Sequence, residues 1–176
     1  MNTLVFDTET TDLIKNKLLP LDRQPHIIEF FGLSLDPEGN ELGTYHFLFK
    51  PPVKLNDDVK RITGIDDTML VDAPVFAAHA QEIKAIIEKH DEVVAHNLSY
   101  DMGVVDFEMK RCGLSVEWPI PTCTVEGTEH LKGFRLNLSA LHELLFGEKF
   151  EGAHRAENDV RALANCFRQL RSIGEI

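Results

Sequence analysis

Short apolar runs alternate with amphipathic stretches along the chain. Residues 4–9, Leu4-Val5-Phe6-Asp7-Thr8-Glu9, open with three apolar side chains and end in two carboxylates two positions apart. A strand turns successive side chains to opposite faces, so Asp7 and Glu9 point the same way. Residues 12–25 hold two prolines, scattered charge and no clean period, and read as a loop. Residues 26–35, rich in Ile and Phe, predict a second strand, and Asp36-Pro37-Glu38-Gly39-Asn40 predicts a turn. Residues 43–49 read as the return strand, which makes a three-strand antiparallel meander. Pro51-Pro52 ends it, and a loop with a short helical turn near residues 57–62 follows.

Beyond this point the period changes. Pro74 fits the first position of a helix, and Phe76, Ala80, Ile83 and Ile87 at helical spacing predict a helix over 75–89. Residues 92–96 form a short buried strand. A helix over 99–112 carries Leu98, Met102, Val105, Met109 and Cys112 on one stripe. A last strand is expected at 120–122, then helices at 124–131, at 138–146 (stopped by Gly147) and at 156–172. This order describes an α/β protein, a mixed five-stranded sheet flanked by helices, with no internal repeat or linker.

Composition narrows the picture. A chain of 176 residues is expected to form one domain, 1–176, with a real core. No apolar run approaches the ~20 residues of a membrane span, and the N-terminus lacks signal-peptide features, so a cytoplasmic protein with no membrane partner is expected. The three cysteines are odd in number and show no C-x-x-C spacing, which points to reduced core thiols rather than a zinc site. A formal charge of −11 argues against a protein that grips a long stretch of nucleic acid through many phosphate contacts. It leaves open an enzyme that touches only a chain end.

The candidate chemistry is acidic. Asp7-Thr8-Glu9 alone is also what a solvated strand end looks like. Two later segments add to it. His96-Asn97-Leu98-Ser99-Tyr100-Asp101 follows a buried strand and opens a helix, and sites in α/β sheets gather at strand carboxyl ends. Asp101 is read either as a helix N-terminal charge or as part of that site. In the third segment, His154-Arg155-Ala156-Glu157-Asn158-Asp159, the aspartate shares an apolar stripe, expected to face the sheet, with Leu163, Cys166 and Leu170, where a carboxylate is rarely left unpaired. Two unit charges ~5 Å apart repel by roughly 3 kcal/mol at an effective dielectric of 20. Four converging carboxylates therefore call for cations, and all-oxygen ligation selects Mg²⁺ or Mn²⁺, two of which form the clamp used for in-line phosphoryl transfer.

Asp7-Thr8-Glu9-Thr10-Thr11, then His96-Asn97 through Asp101, then His154 five residues before Asp159, resemble in that order the three motifs of the DEDDh 3′–5′ exonucleases. This DnaQ-like group includes the proofreading ε subunit of bacterial DNA polymerase III and ribonuclease T. The resemblance covers nearly the whole chain and implies a ribonuclease-H-like fold. It implies that Asp7, Glu9, Asp101 and Asp159 hold two divalent metals, with His154 as the general base that takes a water's proton. A neutral imidazole is needed, so activity should rise as pH climbs through about 6.5–7.

The expected reaction releases nucleoside 5′-monophosphates from single-stranded DNA 3′ ends, with proofreading and a DNA polymerase partner in view. The same chemistry on RNA and a non-catalytic binding module are the alternatives. The chain has no long tail after its last helix, which leaves a stand-alone enzyme, a phage-encoded one or an excised domain as readings. The resemblance further implies that the Thr10 and Thr11 backbone meets the terminal nucleotide and that Ile62 and Thr63 lie in the segment that wedges between the last two bases. Tyr100 has two readings, stacking on a base or packing at a helix start. Arg155, Arg135, Lys132 and Arg61 are read as surface charges or phosphate contacts. His96 is read as a core histidine or a brace for the site.

Overall fold

The strand that begins the chain becomes the middle of the sheet. In the computed structural model, which describes residues 1–176, β1 spans Thr3–Thr10 and sits between β2 (Ile27–Leu35) and β4 (Glu92–Ala95). Together with β3 (Glu41–Leu48) and β5 (Ile120–Cys123) they form one five-stranded sheet in the order β3-β2-β1-β4-β5. β1 and β2, and β2 and β3, pair antiparallel, whereas β4 runs parallel to β1 and β5 parallel to β4. This is the mixed five-stranded sheet expected from the order of elements, in the ribonuclease-H-like form that the resemblance implies.

Burial explains each strand's composition. β2 is covered on both faces, so all nine of its residues are buried and its sequence shows no alternation. β3 lies at an edge and is largely exposed. The other edge, β5, carries Pro121, which a central strand would not tolerate. Leu4 and Phe6 face one side of β1 and pack with Phe30, α2 (Ala80–Glu88) and α3 (Leu98–Arg111). Val5 faces the other side and packs with Phe31, Leu33, Val94 and the long α6 (Ala156–Ile173). The period of two therefore commits Asp7 and Glu9 to the α6 side and Thr8 and Thr10 to the α3 side.

Three local expectations change. The helix expected at 75–89 is broken into a 3₁₀ turn at Phe76–Ala78 and α2, and Pro74 precedes both rather than opening a helix. His79 makes the break. Its ring packs 5.2 Å from Phe47, its Nδ1 lies 2.8 Å from Glu82 Oε2, and its backbone leaves the helical region. The segment expected as one helix at 124–131 is α4 (Thr124–Thr128) followed by a 3₁₀ turn, because the Thr128 hydroxyl donates back to the Thr124 carbonyl at 2.6 Å. Finally, Cys166 and Leu170 pack with Leu141 of α5 (Leu138–Phe146) rather than on the sheet, whose contacts come from Ala156, Val160, Leu163, Ala164 and Phe167. The loop over 12–25 contains a 3₁₀ turn at Leu21–Arg23, held where Arg111 donates to the carbonyls of Leu21, Gln24 and Pro25. Cys112, Cys123 and Cys166 are free thiols.

Candidate active site

At the carboxyl end of β1 the sheet runs out of apolar residues, and charge collects there. Asp7 and Glu9 from β1 and Asp159 from the first turn of α6 each offer a carboxylate oxygen, and these oxygens lie within 4.8 Å of one another. Asp101 is not one of this trio. It comes from α3 on the opposite face of β1 and is buried, and its Oδ1 accepts from the Thr8 backbone N–H at 3.1 Å and the Thr8 hydroxyl at 2.7 Å. The four carboxylates expected to converge thus form three in a cluster and one set back behind the strand.

The set-back group still acts on the cluster. Burial, followed by the charges of Asp101, Glu9 and Asp159, raises Asp7 well above the ordinary carboxylate range. Burial and the neighbouring Asp159, Glu29 and Asp101 push Glu9 up to about 8. Burial likewise lifts Asp101 to about 7, against the lowering hydrogen bonds from Thr8, and Asp159 to about 6. Carboxylates crowded in this way fit a hard divalent cation: the donors are all oxygens, and an added positive charge relieves all of them at once. Asp7, Glu9 and Asp159 have the placement to hold such an ion.

His154 sits on the loop that leads into α6. It is exposed and has a left-handed backbone, φ 69°, and its N–H donates to Asp159 Oδ2 at 2.8 Å. That backbone costs a β-carbon residue on the order of 1–2 kcal/mol, so the hydrogen bond to Asp159 has a conformation to hold. The same loop turns at Gly152, φ 71°, where a Cβ would collide with the Asn158 amide that bonds the Gly152 carbonyl.

One residue of this region escaped the sequence reading. Glu29 is fully buried in β2, directly opposite Glu9 in the strand register. It accepts from Arg155 Nη2 at 3.0 Å, from the Ala156 backbone N–H at 3.2 Å, and pairs with His46 Nε2 at 2.8 Å. Burial raises its pKa, but the bonds from Arg155 and His46 outweigh this and hold it below its ordinary value. Its signal in the sequence is a single carboxylate inside an otherwise apolar run. Arg155 is consequently not a solvated surface charge. It clamps the His154 loop to β2.

The remaining candidates are placed as follows. Thr10 and Thr11 are buried. The Thr11 N–H donates to the His26 carbonyl at 2.9 Å and the Thr10 hydroxyl to the Asp12 carbonyl at 2.8 Å. The Tyr100 hydroxyl shares a 2.5 Å hydrogen bond with the Thr10 hydroxyl and reaches the Asp12 carbonyl, so its polar end is fixed at the start of α3. Helix α1 (Asp57–Thr63) is brought to the tip of β1 by Asn56, whose amide lies 3.5 Å from the Thr11 carbonyl. Its Ile62 is exposed, whereas Thr63 is buried with its hydroxyl donating to the Val59 carbonyl. Arg61 pairs with Asp58 at the surface. His96 does not touch the carboxylates. Its Nδ1 lies 2.9 Å from Thr124 Oγ1 and its Nε2 3.0 Å from the Leu136 carbonyl, and burial pushes its pKa down to about 4.

A ribonuclease-H-like sheet with an acidic cluster where its central strand ends defines a class of nucleases. Residues 4–167 match the family model described as Exonuclease, of RNase T type, and the chain belongs to that family. It is 30% identical over 178 residues to the PolC-type DNA polymerase III of Staphylococcus saprophyticus, covering 97% of this chain and 12% of that protein. It is also 30% identical over 170 residues to the DNA polymerase III subunit epsilon of Haemophilus influenzae, covering 93% of this chain and 65% of that protein. The chain therefore spans less than two thirds of the length of these curated relatives. Among solved structures, the fold resembles E. coli exonuclease I in a zinc-bound complex with single-stranded DNA, with TM-score 0.80 at 18% identity, over 97% of this chain and 40% of that one. It also resembles a 3′-exonuclease that recognises the histone mRNA stem-loop, with TM-score 0.78 at 16% identity, over 98% of this chain and 64% of that one.

Proposed function

We propose that residues 1–176 act as a single exonuclease domain that removes nucleoside 5′-monophosphates, one at a time, from the 3′ ends of single-stranded DNA. The observation that carries this is the trio of Asp7, Glu9 and Asp159 oxygens within 4.8 Å, beside an exposed His154 bonded through its backbone to one of them. Asp7, Glu9 and Asp159, with Asp101 behind them, would hold two Mg²⁺ or Mn²⁺ ions. When bound, such ions supply the positive charge that favours an attacking hydroxide and a departing 3′ oxyanion.

The chain's own residues do the rest. His154 takes a proton from the attacking water at a ring nitrogen, and its exposed position lets the imidazole reach a phosphodiester seated over the carboxylates. Glu29 and Arg155 keep the His154 loop in register with β1. Thr10, Thr11 and Tyr100 lie at the tip of β1, where the terminal nucleotide would sit, and Ile62 and Thr63 would meet it from α1, which Asn56 ties to Thr11. A DNA substrate, a proofreading role and a polymerase partner draw support from the DNA polymerase III relatives. A second reading, trimming of RNA, is favoured by the likeness to an exonuclease that recognises histone mRNA.

The test uses 5′-labelled single-stranded DNA and the matched RNA, each with Mn²⁺, with Mg²⁺ and with chelator, beside His154→Ala. A metal-dependent ladder shortening from the 3′ end and lost in the variant is the expected result. Faster shortening of RNA would select the second reading, and no ladder on either strand would overturn both.

A further inference from the structure

The segment Lys132-Gly133-Phe134-Arg135, between α4 and α5, has no role in the site described so far. In a chain carrying 29 acidic residues against 18 basic ones, positions 130–142 contain no carboxylate. Phe134 is 58% exposed, the most exposed aromatic ring of the molecule. Lys132 and Arg135 are exposed as well, and neither forms an ion pair. Exposing a phenylalanine forgoes roughly 1.5–3 kcal/mol of burial, so its place between two unpaired cations asks for an explanation.

The loop is built to stand at the reactive end of the sheet. Gly133, φ 75°, turns the chain, and Asn137 caps α5 by accepting from the Ala140 N–H at 2.9 Å. His96 Nε2 holds the Leu136 carbonyl at 3.0 Å, and Arg135 Nη2 lies 3.4 Å from Asn97 Oδ1. His96 and Asn97 follow directly on β4, which runs parallel to β1 with Val94 beside Val5. β4 ends at Ala95, so His96 and Asn97 leave the sheet at its carboxyl end, the same end at which β1 carries Asp7 two residues beyond the Val5–Val94 pair. The neutral His96 therefore serves as the bracket that ties this loop to the acidic end.

We propose that Phe134, Arg135 and Lys132 form a subsite for the single strand just 5′ of the nucleotides being cleaved. The ring stacks on a base, and the two cations meet the flanking phosphates. An aromatic face flanked by unpaired cations is the recurring means of holding single strands without reading their sequence. The subsite also answers how a protein of net charge −11 keeps hold of a polyanion: its positive charge is local and stands on the loop that His96 and Asn97 tie to the carboxyl end of β4. This inference rests on the exonuclease reading above.

The experiment compares kcat/KM on the p-nitrophenyl ester of thymidine 5′-monophosphate, which has no upstream strand, with kcat/KM on 5′-labelled oligothymidylates of 2, 4 and 10 nucleotides. In the wild type the ratio of 10-mer to ester should be high. Phe134→Ala should lower that ratio at least about fivefold, the factor that 1 kcal/mol of lost stacking gives, mainly through KM. Phe134→Trp should restore it. Arg135→Ala should weaken binding and make the salt dependence of log KM shallower by about one phosphate's worth.

If the wild type turns over neither substrate, the exonuclease reading fails. If it turns over both but Phe134→Ala keeps the wild-type ratio, or the wild-type ratio does not grow with strand length, the subsite is refuted while the exonuclease stands. Thermal melting of each variant guards against misfolding, and loss of the ratio in Phe134→Trp as well would also refute stacking.

Discussion

Replacing Asp7 with asparagine should make the metal-free protein more stable while weakening its response to metal. Asp7, Glu9 and Asp159 lie within 4.8 Å of one another, a separation at which two ionised carboxylates repel by about 3.5 kcal/mol at an effective dielectric of 20. The folded chain avoids part of that repulsion by holding protons: Glu9 is pushed up to about 8 and Asp159 to about 6. The unfolded chain releases those protons near pH 4. The native state thus binds more protons between about pH 4 and 8, and by linkage its stability falls as pH rises through that window. His96, held down to about 4 by burial, works in the opposite sense up to its unfolded value near 6.5. The difference between wild type and Asp7→Asn cancels this contribution.

In chelator at pH 8, the variant should be more stable by about 3 kcal/mol, the size of one such charge pair. For a chain of this length that is roughly 6–12 °C in Tm, with a smaller difference at pH 5. Mn²⁺ at a hundred times its Kd should stabilise the wild type by about 2.7 kcal/mol, roughly 5–11 °C, and the variant by less. Differential scanning calorimetry from pH 5 to 8.5, with chelator and with Mn²⁺, reads both effects. A variant less stable than the wild type in chelator at pH 8 would refute the electrostatic argument. An equal Mn²⁺ response in the two proteins would mean that the ions bind elsewhere.

Other outcomes follow from single contacts. Glu29→Ala leaves the Ala156 N–H and the part-exposed Arg155 without their shared partner and should cost about 1–3 kcal/mol by urea denaturation, with turnover falling as the His154 loop loosens. Because the His154 side chain is exposed, His154→Ala should abolish turnover in the ladder assay while moving Tm by no more than the effect of a surface change, about 0.5 kcal/mol. Tyr100→Phe removes the hydroxyl that joins α3 to Thr10 and Asp12, and a loss of about 1 kcal/mol in stability is expected. Equal stability of Tyr100→Phe and wild type would show that those bonds contribute nothing net.

Much of this architecture is written locally. An apolar run that gives way to Asp7 and Glu9 marks the carboxyl half of β1, and Asn137 and Gly147 bracket α5 at its observed bounds. The period of two put Asp7 and Glu9 on one face, and the helical stripe put Asp159 on the buried side of α6. What could not be read depends on partners distant in sequence. Glu29 looks like an error in an apolar strand until Arg155, 126 residues later, arrives beside it. The break at His79 comes from Phe47 on another strand. Asp101 approaches β1 from the face opposite to Asp159, a difference that spacing along one chain does not encode.

The division of the carboxylates among β1, α3 and α6 has a temporal consequence. α6 is made after all five strands, and its packing against the first of them brings Asp159 and the His154 loop to the cluster. A chain made only as far as α5 carries Asp7, Glu9 and Asp101, yet it leaves Val5, Phe31 and Leu33 uncovered and lacks the group proposed to move the proton. The cover for one face of the central strand and the proposed proton acceptor therefore arrive with the same helix.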